Sequence, residues 1–400
     1  MRCTGYSAAM AKPLTFTATT MQGAEEALTQ ELKSLGLQRV VPGRGHVKFM
    51  GKLSCGYRAC MWSRIASRVL LNVGRFQATE PEELYAGIRD IRWDEHISPT
   101  GTLWIEFIGR SRSIRDARFG AQRAKDAICD QLRDAHGDRP SVSNERPDLR
   151  LRVHLRDGLV TVAVDLSGDA LHKRKDRRLT GEAPLKRTLA AAALWYTGWP
   201  KRAQQGAILH DPMCGAGTFL VEAGAMARDV APGLGRPHWG FHRWRGHDEA
   251  AWMTLVDEAK ERKEQGRSNP IRISGSDASS SVLRKAGENL TRAQLDQDVK
   301  LSRCTVDRAS PRGREPGLVL TNPPYGKRLV DDGVAQDIHR ALGDVLRQRF
   351  LGWSAGVLTE FSLVGSIGLK PTRRIPLMNG PLDCRLITLE ISSQAPKRMS

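Results

Sequence analysis

The spacing of apolar residues changes rhythm near residue 170, and the change separates two kinds of structure. Before it, short alternating runs and single helical stripes predict α+β units. Leu14 to Thr19 reads as a strand, Gly23 to Leu35 as a helix with Leu28, Leu32 and Leu35 on one face, and His46 to Met50 as a strand. Leu53 to Leu70 reads as an arginine-rich helix. Leu103, Ile105 and Phe107 alternate with Thr102, Trp104 and Glu106, which predicts a half-buried strand over Thr102 to Ile108. A helix is expected over Arg115 to His136, with Ala117, Ala121, Ala124, Ile128 and Leu132 on one stripe. Leu149 to Leu155 alternates with Arg150, Arg152 and His154, so this strand has a basic outer face. Asp157-Gly158 then predicts a two-residue hairpin into Leu159 to Leu166.

After the charged stretch Leu171 to Arg178, strand and helix signals alternate. Strands are expected at Ala207 to His210, Ile271 to Ser274, Lys300 to Val306, Leu318 to Thr321 and Ser354 to Thr359. Helices are expected at Thr218 to Arg228, Ser280 to Arg292 and Ala335 to Arg349. That succession predicts a doubly wound parallel sheet, an α/β fold.

Charge narrows the partner. The 400 residues carry 62 Lys plus Arg against 44 Asp plus Glu, a net charge of +18. A surface so basic calls for a polyanion, and nucleic acid comes first. An acidic membrane is the second candidate, but the chain shows no amphipathic or lipidated anchor, no apolar run near the ~20 residues that span a bilayer, and no secretory start. The seven cysteines are scattered, with no Cys-x-x-Cys pair, and the ten histidines show no metal spacing. The expectation is a cytoplasmic protein with neither disulfides nor a metal.

Asp211-Pro212-Met213-Cys214-Gly215-Ala216-Gly217-Thr218 joins a strand to a helix. Its glycines let a ligand approach the backbone, and the helix start offers free amides, though tight strand-to-helix turns use the same residues. A dinucleotide site would want a third glycine and an acid about 20 residues on. Here the next acid at a strand end is Asp277, beyond an insertion carrying Trp239, Trp244 and Trp252. In methyltransferases of this architecture a carboxylate at the place of Asp211 helps hold the amino-acid part of S-adenosylmethionine; Asp277 could then accept from the ribose hydroxyls and Asp307 from the adenine amino group. Helix capping is the competing reading for Asp277 and Asp307.

Leu318 to Thr321 runs into Asn322-Pro323-Pro324-Tyr325. Two prolines fix φ and stiffen the turn, which a transfer site needs in order to aim acceptors. An exocyclic amine conjugated to a π-system is a poor nucleophile. The Asn322 side-chain oxygen and the Pro323 carbonyl can accept its two N–H groups, bend the nitrogen toward tetrahedral geometry and turn its lone pair on a methyl donor. Tyr325 can stack on the planar group. These residues predict methylation of a conjugated amine without a strong base. Neither Cys214 nor Cys304 stands where a thiol nucleophile would.

The motif occurs in amino-methyltransferases of DNA, protein and RNA, so the substrate must come from elsewhere. Met61-Trp62-Ser63-Arg64 and Asp165-Leu166-Ser167-Gly168 bound a unit that resembles the THUMP RNA-binding domain. With Leu171-His172-Lys173-Arg174, Ala183 to Ala191, Ala231-Pro232-Gly233-Leu234, Trp239-Gly240-Phe241, His247-Asp248-Glu249 and Asn379-Gly380-Pro381-Leu382-Asp383-Cys384, the chain looks like the bacterial RlmL-type 23S ribosomal RNA guanine-N2 methyltransferases. The resemblance implies a ferredoxin-like segment over 1–54, a THUMP domain over 55–168 and a Rossmann-like class I methyltransferase domain over 169–400.

It further implies N2-methylguanosine as product and S-adenosylmethionine as donor, held by Asp211, Pro212, Cys214, Gly215, Gly217, Thr218, Asp277, Asp307 and Asn322. Pro184 to Thr188 would border that pocket, and Asn322, Pro323, Pro324 and Tyr325 would be catalytic. The partner is 23S ribosomal RNA or a ribosomal precursor, gripped by Arg110, Arg112, Arg115, Arg118 and Arg123, then Arg150, Arg152, Lys173 and Arg174. No protein partner is expected. The target base must leave its stack to reach Tyr325. Two departures stand out: Lys175-Asp176-Arg177 interrupts the linker, and Ala216 replaces a frequent Ser. Relatives with a second methyltransferase domain make 7-methylguanosine as well; ending at Ser400, this chain is expected to have one activity. A THUMP-type transfer RNA guanine methyltransferase and a non-catalytic RNA-binding assembly factor are the alternatives. The histidines His238, His242 and His247 read as a surface or RNA-facing cluster.

Overall fold

The computed structural model describes residues 13–172, 185–313, 315–325, 332–380 and 382–392. The first sheet is built from β1 (Leu14–Thr19), β2 (Gln38–Gly43), β3 (His46–Gly51), β4 (Arg68–Gln77), β5 (Thr102–Gly109), β6 (Ser141–Val142), β7 (Leu149–Arg156) and β8 (Leu159–Asp165). Its order is β2-β3-β1-β4-β8-β7-β5-β6. Four helices accompany it: α1 (Glu25–Ser34), α2 (Leu53–Trp62), α3 (Pro81–Arg89) and α4 (Ala117–His136). Alternation along the strands puts Phe16, Val47, Phe49, Leu151 and Val162 in the core. Polar residues such as Thr17, Lys48 and Arg152 occupy the other face. The predicted hairpin is present, with Asp157 and Gly158 both at positive φ (52° and 74°), as its tight turn demands.

One expected element fails. The helix predicted over Leu53 to Leu70 stops at Trp62, and Arg68 to Leu70 opens β4. The cause is Glu31 on α1, whose buried carboxylate accepts from the Ser63 hydroxyl (2.5 Å) and from the amides of Arg64 (2.8 Å) and Ile65 (3.3 Å). Those amides turn to the carboxylate instead of continuing the helix. Strands β2, β4 and β6 and helix α3 were not anticipated. The edge strand β2 carries little alternation, whereas α3 announces itself by a capping box of Glu80 and Glu83 around Pro81.

The second sheet contains β9 (Ile208–Asp211), β10 (Arg272–Asp277), β11 (Lys300–Arg303), β12 (Leu318–Thr321), β13 (Ser354–Glu360), β14 (Arg373–Asn379) and β15 (Leu382–Glu390). The order is β11-β10-β9-β12-β13-β15-β14. The first five named strands pair in parallel, and β14 and β15 add an antiparallel hairpin. Helices α5 (Arg187–Tyr196), α6 (Trp199–Gln204), α7 (Thr218–Ala227), α8 (Glu249–Gln265), α9 (Ser280–Arg292) and α10 (Asp332–Arg349) accompany it. The expected parallel α/β sheet is present; the hairpin and helices α5, α6 and α8 are additions. No helix among the described residues is long and apolar enough to cross a membrane.

A polar network and an aromatic layer join the two halves. Arg64 donates to Glu222 on α7 (3.4 Å) and to the carbonyls of Ala225 and Val230, while Arg187 on α5 donates to the other oxygen of Glu222. All three side chains are buried. Beside them Arg58 on α2 grips Glu258 on α8 through two 2.7 Å bonds. Gly240 lies so close to Asp165 and Gly168 that a Cβ there would stand 2.2 Å from the Asp165 carbonyl oxygen. Replacing Glu222 by Gln keeps the shape but removes the counter-charge of two buried guanidiniums. Stability should fall by about 3–5 kcal/mol, measured by urea denaturation; a loss below about 1 kcal/mol would show that the network is not what fixes the junction.

Candidate active site

From β9 the chain winds outward through β10 and β11, then returns to the opposite side of β9 as β12. The crevice beyond the C-terminal ends of β9 and β12 is therefore a switch point, where the two following loops diverge and leave room for a ligand. Asp211 ends β9, Asp277 ends β10 and Asn322 follows β12.

The loop after β9 is held from several sides. The Gly215 amide donates to Asp277 Oδ2 (3.0 Å), the Cys214 amide to the Ser276 carbonyl (2.9 Å) and Asn289 Nδ2 on α9 to the Ala216 carbonyl (3.0 Å). The Ser276 hydroxyl reaches the Pro212 carbonyl (3.3 Å). Gly215 has φ +52° and nothing within 4 Å of where a Cβ would stand, so the loop presents bare backbone to open space. Gly217, at φ +79°, caps α7, and Thr218 begins that helix. Asp277 is half-buried, and its Oδ1 accepts from the Ser279 amide (3.0 Å).

Asp211 is 1% exposed and accepts from the Met213 amide (3.1 Å). Burial pushes its carboxyl up to about 7, and Asp277 adds repulsion. The neighbouring Thr321 hydroxyl softens the shift without forming a well-shaped hydrogen bond. The Cys214 thiol is raised well above its ordinary value, chiefly by burial. It is held protonated, which removes the thiolate a nucleophile would need. The strand before Asp307 is shorter than expected, stopping at Arg303, and Asp307 sits fully exposed in the 3-10 turn Val306–Arg308, its carboxyl lowered by the Thr305 hydroxyl. Among the described residues no group of His, Cys, Asp and Glu could hold a metal ion.

The turn after β12 places Asn322 and Pro324 half-buried and Pro323 buried. Tyr325, expected as a stacking platform, is only 3% exposed. Its hydroxyl accepts from Asn379 Nδ2 (3.2 Å) and from Cys384 Sγ (3.6 Å), which flank the tip of the β14–β15 hairpin. The stretch Asn379 to Cys384, legible in the sequence only as a family mark, therefore clasps the reaction-centre motif. Asn379, Cys384, Ser276 and Asn289 were missed because their roles depend on partners distant in sequence.

Arg110, Arg112 and Arg115 are exposed in the loop between β5 and α4, and Arg118 is exposed in the first turn of α4. Arg123 does not join them, because its guanidinium lies 4.5 Å over the Tyr85 ring and pairs with Glu82 (3.7 Å). Arg152 is likewise engaged, gripping Glu106 at 2.8 Å. Lys173, Arg174, the Lys175-Asp176-Arg177 interruption and Ala183-Pro184 lie outside the described residues. Arg187 and Thr188, expected to border the pocket, are buried, with Arg187 on Glu222. Within the histidine cluster, His238 and His242 are half-buried at the surface, and His247 turns inward. His247 bonds the Tyr57 hydroxyl of α2 (2.7 Å), and Phe241 and Trp252 pack on the same Tyr57 ring, so this part of the insertion cements the junction.

Comparisons with known proteins agree with this architecture. The model described as "RMKL-like, methyltransferase domain" matches residues 174–388, the RlmL ferredoxin-like domain matches 15–70 and the THUMP domain matches 78–165. The chain is 43% identical over 384 residues to ribosomal RNA large subunit methyltransferase K/L of Methylococcus capsulatus, covering 96% of this chain and 52% of that protein. It is 41% identical over 389 residues to the Syntrophotalea carbinolica protein of the same name, covering 96% and 55%. The chain thus spans about half the length of these curated relatives. Among solved structures, a possible methylase from Clostridium difficile 630 superposes with TM-score 0.86 at 26% identity, covering 97% of this chain and 100% of that one. SMU.472, complexed with SAH, superposes at 0.84 and 26% identity, covering 96% and 100%.

The raised Asp211 carboxyl has a testable sign. Folded, the group titrates near 7, against 3.8 for the ordinary side chain. The folded state binds this proton more tightly than the unfolded chain does, so the site costs stability increasingly from about pH 4 to pH 7 and constantly above. Asp211→Asn removes the cost. In the ligand-free protein the variant should exceed wild type by on the order of 2–4 kcal/mol at pH 8, an advantage that shrinks toward pH 5. Denaturant melts at both pH values check this, and equal stability at pH 8 would refute it.

Proposed function

This chain belongs to the RMKL-like methyltransferase family, and from that premise we propose that it methylates the exocyclic N2 amine of a guanine in 23S ribosomal RNA. The observation that carries the reading is the meeting of two motifs at one switch point. Asp211 and the open-backed loop at Gly215 end one strand, and Asn322 and Pro323 follow its neighbour. S-adenosylmethionine bound over the loop would supply a sulfonium methyl. The fit is chemical. A buried carboxylate suits an ammonium group, the bare backbone at Gly215 admits close approach, and Asp277 retains lone pairs for ribose hydroxyls.

Within that reading, Asn322 Oδ1 and the Pro323 carbonyl accept the two N–H groups of the guanine amine. Their positions at the end of a buried strand and in a proline-stiffened turn aim the lone pair at the donor. The carbon–sulfur bond breaks as the nitrogen–carbon bond forms. The nitrogen then sheds one proton, which is acidic once the amine is alkylated, so no buried base is needed. Tyr325 forms the wall for the planar base. Its ring is covered in the free protein, so stacking requires it to be uncovered first. Asp307, Pro212, Cys214, Gly217 and Thr218 complete the proposed donor site, the first at its exposed rim. Arg110, Arg112, Arg115 and Arg118 are read as phosphate contacts. We read the cytoplasm as the place of action, because that is where ribosomal RNA is found.

Labelled S-adenosylmethionine should be incubated with 23S RNA, 16S RNA and transfer RNA, followed by digestion to nucleosides. N2-methylguanosine from 23S RNA alone supports the proposal, and N6-methyladenosine or a transfer RNA product overturns it. Asn322→Ala should lower transfer at least about 100-fold while SAH affinity changes little; transfer at the wild-type rate would remove Asn322 from the reaction centre. Asn379→Ala, which removes one donor to the Tyr325 hydroxyl, should lower kcat more than it raises KM.

A further inference from the structure

The loop from Gly109 to Phe119 is fixed more firmly than a surface connection needs to be. Ile114 is fully buried beneath it. Ser111 and Ile114 exchange backbone bonds (Ser111 amide to Ile114 carbonyl, 2.9 Å), and the Ser111 hydroxyl accepts from the Ile114 amide (2.9 Å) and donates to the Thr79 carbonyl (2.7 Å). The Ser113 hydroxyl donates to Glu80 (2.7 Å). On this clamped frame stand four exposed arginines, Arg110, Arg112, Arg115 and Arg118. None of them pairs with a carboxylate among the described residues, whereas Arg89, Arg123, Arg133 and Arg152 nearby all do. Asp116, the one acid in the loop, spends its carboxylate on the Arg118 amide (2.9 Å). Beside the arginines, in the first turn of α4, Phe119 is 46% exposed.

A lone exposed Phe is ordinary. One set among guanidiniums without a carboxylate partner among the described residues, of which Arg115 spends its Nε on the Arg112 carbonyl (2.8 Å), is a different object. The guanidiniums need anions at several points along a line, and the ring needs a flat apolar face. An unpaired stretch of RNA has both, phosphates along its backbone and a base free to stack. A duplex offers the phosphates but keeps its base faces covered. We infer that the Arg110–Phe119 surface holds an unpaired segment of the RNA substrate, with the arginines on phosphates and Phe119 stacked on one base. This rests on the reading of RNA as the substrate and adds to it which kind of RNA the surface selects and which residue selects it.

The test uses the full chain and a labelled, unstructured RNA of about 12 nucleotides, against the same sequence as a blunt duplex, by anisotropy over a range of salt. Phe119→Ala should weaken single-strand binding about tenfold, leave duplex binding within about twofold and keep the salt slope. Phe119→Tyr should restore affinity and Phe119→Leu should not. Arg112→Ala and Arg118→Ala should each flatten the single-strand salt slope by about 0.7. Melting temperature and SAH affinity, read in parallel, should stay at wild-type values for every Phe119 variant. Wild-type binding by Phe119→Ala, equal losses on both RNAs, or rescue by Leu as good as by Tyr would overturn the inference. The two readings fail separately. If wild type methylates 23S RNA but Phe119→Ala binds single strands normally, only the stacking surface falls. If the Phe119 pattern holds but no RNA is methylated, only the proposed methylation falls.

Discussion

Everything in this chain turns on a carboxylate that two guanidiniums share. Glu222 sits on the helix that rises from the glycine loop, Arg187 comes from the helix preceding the methyltransferase sheet, and Arg64 comes from the N-terminal half. Buried charges of this kind are costly apart and tolerable only together, so the three segments must meet in one arrangement. Glu31 fixes the approach from the other side by ending α2 and turning the chain so that Arg64 points across the junction. The glycine loop is thereby referenced to the N-terminal sheet through buried side chains.

The active-site crevice shows the same use of distant parts. The glycine loop owes its shape to Ser276, Asp277 and Asn289, and the Asn322 turn owes its far end to Asn379 and Cys384. The motifs supply chemistry, and other elements hold them at a usable angle. Asp211 illustrates the tension at such a place. Burial makes its charge unfavourable in the free protein, and a cation arriving beside it would reverse that preference.

What the sequence made legible was periodic or local. Strands β1, β5, β7 and β12 follow from alternation or from short apolar runs, and the Asp157-Gly158 turn follows from backbone sterics. The reaction motif and the glycine loop were readable because each is contiguous. The error at Leu53 to Leu70 came from a helix end set by Glu31, a residue far upstream whose role no local pattern encodes. The inward role of His247 was hidden for a similar reason: its partner, Tyr57, lies in the other half of the chain. Tyr325 as a buried ring rather than an open platform, and Arg123 as a packed rather than a free cation, are likewise facts about neighbours.

The close packing of Gly240 against Asp165 and Gly168 limits how this architecture can be recombined. Two backbones lie there with no room for a side chain between them, and Arg236 threads the same place to reach the carbonyls of Ser167 and Asp169. A chimera that takes its N-terminal half from one homologue and its methyltransferase half from another would cut through this seam. The portable module is therefore not either half alone. It is the N-terminal sheet together with the insertion after α7, which belongs by sequence to one domain and by packing to the other.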